Sequence, residues 1–453
     1  MKLTLINFRI KIKMSQDLIK FGDHIIIQRQ EYTKLYNFRN NSCSVVLSKD
    51  SVELGNIVGH PFFSTFKMIP KEHYQKAGRK NTRSFELELY TDLKVNLKES
   101  VEFSESGVDN RTIHDDGRSQ NLSEKEILAL RDTLGSSTEI VNTLVANSTS
   151  FASKTEYSQA KYLKKKEKKY FEYVQIRRPT LRLLSEIYYR IDADKVLGLR
   201  MDSLTQIISY SGVCNDGNYL LYDSGSNGLL PAGLLNSMGS SGTSKLVYLH
   251  PGNFAPLQGV QALNFEKEHE EKCITVNLYS VLRQFYQKDE VQQPDIVDAP
   301  LIEKVVDQED SNKRKHESGD EDSQPAKKIC PEGETDLTVV KKIPKWQIEN
   351  AQALEIMTNK VDALIVASRE HPMNIVKELL QFVQPSRPIV IFGLSKEILM
   401  ECYGELKQLN TVTNLRLVSN WMRMYQVLPN RTHPVVSMQG NSGFIMFGTK
   451  VTG

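Results

Sequence analysis

Between residues 21 and 103, apolar and polar positions alternate in short runs. HIIIQRQ, YTKLYNFR, SCSVVLS, VELGNIVG, FSTFKMI, SFELELY and LKVNLKE are rich in β-branched and aromatic residues, and Gly, Asn, Asp and Pro separate them. Successive side chains of a strand point to opposite faces, so each run predicts a strand with one buried side. Their spacing predicts a small β-barrel or sandwich over residues 14–110.

The period then changes. Ser123 followed by Glu126 is a capping-box spacing and predicts a helix start. Helical patterning continues through EIVNTLVANSTS and EYSQAKYLKKKEKKYFEYVQI to about residue 176, and Pro179 ends it. Residues 111–180 therefore read as a helical, basic connecting region. From 181 to 453 helices alternate with apolar strands: NYLLYDSG, SKLVYLH, KCITVNLY, DALIVASR, PIVIFGL, NLRLVSNW and GFIMFGTKV. That alternation predicts an α/β domain with a parallel sheet covered on both faces. The last strands lie close enough for an antiparallel end hairpin, and the aromatic-rich GFIMFGTKV is a natural pairing edge. Residues 287–345 interrupt this domain with many charges, several prolines and few aromatics, a composition that predicts a disordered insertion.

Composition changes this picture little. The 453 residues suit two or three domains, and 40% hydrophobic with 25% charged is ordinary for a globular chain. Net charge is +3, so affinity for a polyanion must come from local clustering. Five widely spaced cysteines without a CxxC pair support neither a zinc site nor a disulfide framework, and they suit a reducing compartment. The N-terminal MKLTLINFRIKIKM lacks the unbroken apolar run of a secretory signal, and no stretch is apolar enough to span a membrane.

The candidate chemistry begins at Ser224–Leu229. The stretch follows a strand and opens a helix, as a dinucleotide or S-adenosylmethionine loop does. Such a loop needs several glycines so that backbone N–H groups approach the ligand, and an acid at the end of the second strand to hold the ribose. Here only Gly225 and Gly228 are present, Asn227 sits between them, and the second strand ends in His250 and Pro251. Two defects in one site predict a Rossmann-like domain that has lost its cofactor, with both glycines serving only the turn. No GxSxG, HExxH or P-loop pattern occurs. His114, Asp115 and Asp116 read as a turn. Glu370 after the fourth strand is a candidate acid, but the adjacent Arg369 makes anion binding equally plausible, and His433 has no evident partner.

The densest signal is KYLKKKEKKYFEYVQIRRP. Lys161, Lys164, Lys165, Lys166, Lys168, Lys169, Arg177 and Arg178 face only Glu167 and Glu172. Such a patch neutralises several phosphates, and the imbalance favours RNA or DNA contact over a solvated helix face. The interleaved tyrosines either stack on bases or pack in the core. Lys313–Lys315 and Lys327–Lys328 have the form of a bipartite nuclear localisation signal or of an ordinary charged linker.

DNRTIHDDGRSQNLS, NSTSFASKTEYSQAKYLKKKEKKY, the loop with YLHPG, DALIVASREHP, FVQPSRPIVIF and NWMRMYQVLPNRTHP occur in this order. Together they resemble the non-catalytic subunits of the eukaryotic tRNA (adenine-58-N1)-methyltransferase. The resemblance implies a degenerate Rossmann-like methyltransferase fold that binds no cofactor, with Gly225, Asn227, Gly228 and His250 at the lost site and S-adenosylmethionine on a catalytic partner. It implies a heterotetramer of two catalytic and two non-catalytic chains, tRNA binding and a nuclear location. The phosphate-contact candidates are Lys164, Lys165, Lys166, Lys168 and Lys169, with Arg177 and Arg178 nearby. Arg369, Arg423 and Arg431 at or beyond strand ends are candidates for contact with tRNA or the partner. An active methyltransferase with an unusual loop, and a translation-initiation or scaffold protein, are the competing readings.

Overall fold

A computed structural model describes residues 18–47, 50–71, 83–90, 120–133, 137–170, 173–287, 344–427, 431–436, 438 and 440–451. The turn at Asn110–Gly117, the run LKVNLKE and the clusters at 313–315 and 327–328 lie outside the described residues.

Seven strands form the N-terminal sheet: β1 (His24–Arg29), β2 (Tyr32–Asn37), β3 (Ser44–Leu47), β4 (Asp50–Glu53), β5 (Thr65–Pro70), β6 (Arg83–Tyr90) and β7 (Tyr173–Arg177), in the order β2-β1-β7-β5-β6-β4-β3. In β3, β5, β6 and β7 burial alternates along the strand. Val45 and Leu47, Phe66 and Met68, Phe85 and Leu87, and Val174 and Ile176 share one core with Ile25, Ile27 and Val52. The two outer strands approach each other, since Lys34 Nζ on β2 donates to Val46 O on β3 at 3.0 Å and Tyr36 Oη to Ser44 O at 3.3 Å. The sheet is thus a nearly closed barrel.

Two sequence expectations change here. VELGNIVG is not one strand, because β4 stops at Glu53 and a 3-10 turn covers Gly55–Ile57. The helix expected to reach residue 176 ends by Tyr170, and Tyr173–Arg177 is strand β7, antiparallel to both β1 and β5. Inside the barrel wall, alternate burial of Val174 and Ile176 outweighs the helical propensity of the lysine run before it.

Three helices lie along the chain between β6 and β7 of the barrel: α1 (Glu124–Thr133), α2 (Ser137–Ala146) and α3 (Glu156–Tyr170). The capping box is formed, with Ser123 N donating to Glu126 Oε2 at 2.8 Å and Glu126 N to Ser123 Oγ at 3.3 Å. Ile140, Val141, Leu144, Phe151 and Leu163 make a small core of their own.

The second domain contains α4 (Leu181–Ile191), α5 (Met201–Ser211), β8 (Asn218–Asp223), α6 (Leu229–Met238), β9 (Lys245–His250), α7 (Gln258–Gln261), α8 (Lys267–Glu270), β10 (Cys273–Asn277), α9 (Leu278–Gln287), α10 (Lys345–Thr358), β11 (Ala363–Ala367), α11 (Pro372–Leu379), β12 (Pro388–Gly393), α12 (Lys396–Leu409), β13 (Val412–Trp421), the short β14 (Tyr425–Gln426) and β15 (His433–Pro434), and β16 (Asn441–Lys450). The sheet order is β10-β9-β8-β11-β12-β16-β13, with β16 antiparallel to both neighbours and β8 to β12 parallel. That is the Rossmann-like methyltransferase order, third-second-first-fourth-fifth-seventh-sixth. β8 sends Tyr219 and Leu221 to the layer of α4, α5 and α6, and Leu220 and Tyr222 to the layer of α9 to α12. GFIMFGTKV is therefore interior and not a pairing edge: β16 is bonded on both sides, and β10 and β13 are the edges.

Two polar clamps seat the barrel on this domain. Asn264 exchanges hydrogen bonds with the backbone of His24, receiving from His24 N at 2.7 Å and donating to His24 O at 2.8 Å. Arg190 donates to Thr33 Oγ1 at 3.1 Å and to Thr33 O, with its guanidinium 5.2 Å from the Tyr32 ring centre.

Candidate functional sites: the β8 loop and the basic helix

Ligands of open α/β sheets gather at the carboxyl ends of the strands, where the order reverses. Here β8 lies between β9 and β11, so the loop Ser224–Gly228 stands at that point. Several of its polar groups are already engaged. Asp223, fully buried at the end of β8, accepts from Gly225 N at 3.0 Å, Ser226 N at 2.8 Å and Ser226 Oγ. Burial holds the Asp223 carboxyl above the usual range, against the pull of the Ser226 and Gly225 bonds. Ser226 Oγ in turn receives Leu230 N at 3.1 Å, satisfying one of the first N–H groups of α6.

Each glycine answers to a neighbour as well as to the turn, which corrects the expectation that they serve the turn alone. Gly228 has φ +79°, and a Cβ there would stand 2.6 Å from Pro256 O and 2.9 Å from Gly259 N. The backbone approaching it is the chain's own segment before α7. At Gly225 a Cβ would stand 2.7 Å from Arg369 Nε. Arg369 therefore lies across the loop, with Nη2 donating to Asp194 O at 2.6 Å and its backbone N to Ser224 Oγ at 2.8 Å. Ser224 Oγ donates to Glu370 Oε2 at 2.7 Å, and Tyr222 Oη reaches the same oxygen at 3.4 Å. Glu370, the candidate acid, is thus part of the loop's internal network.

His250 ends the neighbouring β9 and is 4% exposed. Desolvation lowers its pKa, against a weaker opposing bond with Gly252, so the ring is held neutral. Asn227 has φ +56°, and its carbonyl accepts from Gly259 N at 3.1 Å. The structure thus brings Gly225, Asn227, Gly228 and Arg369 into one loop, with His250 on the adjacent strand. Sequence reasoning missed Asp223. Its signal was an acid at a strand end followed by Ser-Gly, a spacing that suits a carboxylate closing its own turn.

The basic helix is built differently. Lys161 and Lys165 are exposed on α3, while the side chains of Lys164, Lys168 and Lys169 lie outside the described residues. Lys166 and Lys154 flank the Tyr162 ring at 5.1 and 5.2 Å from its centre. Tyr162 also packs on Phe151 and donates to Gln120 Oε1 at 3.4 Å, so it belongs to the small helical core. Arg431 joins this group from the far end of the chain, 4.9 Å from the Tyr157 ring centre. The remaining candidates lie apart from it. Arg177 donates to Gln28 Oε1 at 2.8 Å on the barrel and faces Phe63. Arg178 is exposed beside the cleft lined by Arg182, Asn264 and Glu266. Arg423 is exposed between β13 and β14. Tyr157 lies outside the basic stretch that the sequence singled out, and no local pattern pairs it with Arg431.

A degenerate Rossmann-like methyltransferase domain behind a β-barrel and a basic helix defines the class. The Gcd10p family matches residues 18–324, and this chain belongs to it. It is 30% identical over 459 residues to the mouse tRNA (adenine(58)-N(1))-methyltransferase non-catalytic subunit TRM6, covering 95% of this chain and 88% of that protein. It is 29% identical over 444 residues to the corresponding non-catalytic subunit of Dictyostelium discoideum, covering 97% and 81%. The crystal structure of the tRNA (m1A58) methyltransferase TrmI from Aquifex aeolicus aligns at a TM-score of 0.44 and 11% identity, covering 96% of this chain and 100% of that one. The fold described above rests on the strand order and not on that alignment.

Proposed function

We propose that this chain is the non-catalytic, tRNA-binding subunit of a tRNA (adenine-58-N1)-methyltransferase complex, and that it supports N1-methylation of adenosine 58 by a partner that binds S-adenosylmethionine. The observation that carries this reading is the turn at Ser224–Ser226, bonded to its own chain, in a chain of this family. Gly225 N and Ser226 N, which would face a ligand, bond to Asp223. Arg369 lies across Gly225, and a neutral His250 stands where a carboxylate would accept ribose hydroxyls. These residues do not fit S-adenosylmethionine, so no step of the reaction is assigned to them.

The tRNA role draws support from Lys161, Lys165 and Lys166 on α3, with Arg431 beside them. For the partner, the apolar residues Trp421, Met424, Tyr425, Val427 and Val436, at and after the end of β13, are each more than half exposed. A heterotetramer of two catalytic and two non-catalytic chains, and a nuclear location, complete the proposal.

The test is methyl transfer to unmodified tRNA from radiolabelled S-adenosylmethionine, with this chain alone, the partner alone, and both. Activity confined to the mixture, with tRNA retained by this chain, is the expected outcome. Activity from this chain alone would sink the reading of the loop, and equal activity with and without this chain would leave it no role in methylation.

A further inference from the structure

The chain between β13 and β16 leaves the sheet as an arm, and both of its ends are held. At the base, Met422 N and Arg200 Nη2 donate to Gly440 O at 3.0 and 2.9 Å. Arg200, 6% exposed, is itself paired with Asp202 through Nε at 2.7 Å and Nη2 at 2.8 Å. At the far end, Arg431 lies against Tyr157 of α3. Tyr157, Lys161 and Lys165 are spaced four residues apart, so they share one stripe of α3 in steps of about 6 Å. Arg431 therefore extends the cationic stripe of Lys161 and Lys165 by one position, from a different domain. On the adjacent stripe, Lys154 and Lys166 both lie over the Tyr162 ring, 5.2 and 5.1 Å from its centre.

We propose that Arg431 and α3 form one composite surface for the sugar–phosphate backbone of a folded RNA, in which Tyr157 and Tyr162 orient cations and do not stack on bases. The inference rests on the tRNA-binding reading and adds the arm to it. A cation resting on a ring face keeps its charge and loses side-chain freedom before the phosphate arrives, which lowers the entropy lost on binding. Tyr162 is additionally committed to Phe151 and Gln120, which removes it as a free stacking platform. The surface is continuous only while the arm is seated, and the Arg200 network seats it.

The experiment is fluorescence anisotropy with labelled unmodified tRNA and the full chain, alone and with its catalytic partner, across a sodium chloride series. Arg431→Gln is expected to weaken binding and to lower the slope of log affinity against log salt by about 1, as one lost phosphate contact does. Tyr157→Ala is expected to weaken binding about 3-fold with the slope nearly unchanged, because the cation remains but is no longer held. Tyr157→Phe keeps the ring and should match the parent. If tRNA binds but Arg431→Gln alters neither affinity nor slope, the composite surface is wrong while the tRNA-binding reading stands. If Tyr157→Phe loses as much as Tyr157→Ala, the ring does not act by orienting the cation. If tRNA binds to neither the chain nor the complex, the tRNA-binding reading itself falls.

Discussion

At the carboxyl end of β8, Asp223 bonds to Gly225 and Ser226 and Ser224 links Arg369 to Glu370, whereas on α3 Lys161 and Lys165 stand exposed and Arg431 approaches from the arm. Both regions gather polar and charged groups. In the first, the Ser224, Gly225 and Ser226 N–H groups meet acceptors from the same chain, and the space beside Gly225 contains Arg369. In the second, Lys161, Lys165 and Arg431 face solvent. The difference teaches that a fold can keep the strand order of a ligand site while residues at its strand ends bond inward, and that exposed positive charge can gather on a helix outside the sheet.

The largest test of this contrast is steric. Gly228→Ala puts a Cβ against Pro256 O and Gly259 N at a φ of +79°. The colliding atoms are backbone, so the loss of stability should be about 3 kcal/mol by urea unfolding. A neutral result would mean that the segment before α7 does not pack on the loop.

Arg369→Ala removes the bond to Asp194 O and the group lying over Gly225, at a cost of about 1 kcal/mol. It should not create S-adenosylmethionine binding by calorimetry, because Asp223 still holds the loop N–H groups and His250 is no acid. Tight binding by this variant would mean that Arg369 alone closes the site, and the contrast would reduce to a single side chain.

On the other side, Lys161→Gln with Lys165→Gln should change unfolding stability by less than about 0.5 kcal/mol, as exposed substitutions do. The same double variant should lower the salt slope of tRNA binding by about 2, one per lost phosphate contact. Unchanged tRNA affinity would turn α3 back into a solvated face.

The smallest expected effect is on pH dependence. Burial lowers the His250 pKa, so between its folded and unfolded values the unfolded chain binds more protons. Its contribution is present above the unfolded value near 6.5 and is lost as pH falls through the folded one. His24 is lowered by burial in the same direction. His250→Gln should therefore flatten the fall in stability between about pH 7 and pH 5. An unchanged slope in unfolding curves would show that the ring is not held neutral.

Much of this was legible along the chain because the signals are local. Alternation marks Phe66 with Met68 and Phe85 with Leu87 as one wall, since a strand repeats every two residues. Ser123 and Glu126 mark a helix start because both partners of the cap lie within one turn. The missing glycines and the absent acid at His250 are likewise defects of single positions, and they can be read without knowing what stands opposite. Tertiary structure decided the rest, because the partners are far apart in sequence. Tyr173–Arg177 became a strand only because β1 and β5 stand on either side of it. GFIMFGTKV became interior because β13 returns along its outer edge. Arg369 reached Gly225, and Arg431 reached Tyr157, across separations for which local periodicity has no signal. The sequence by itself determined which faces are apolar, where helices begin and which chemistry the loop lacks, since these follow from spacing and residue type. Only the folded chain decided what fills the space a ligand would need and which cations stand together, because both depend on through-space distance.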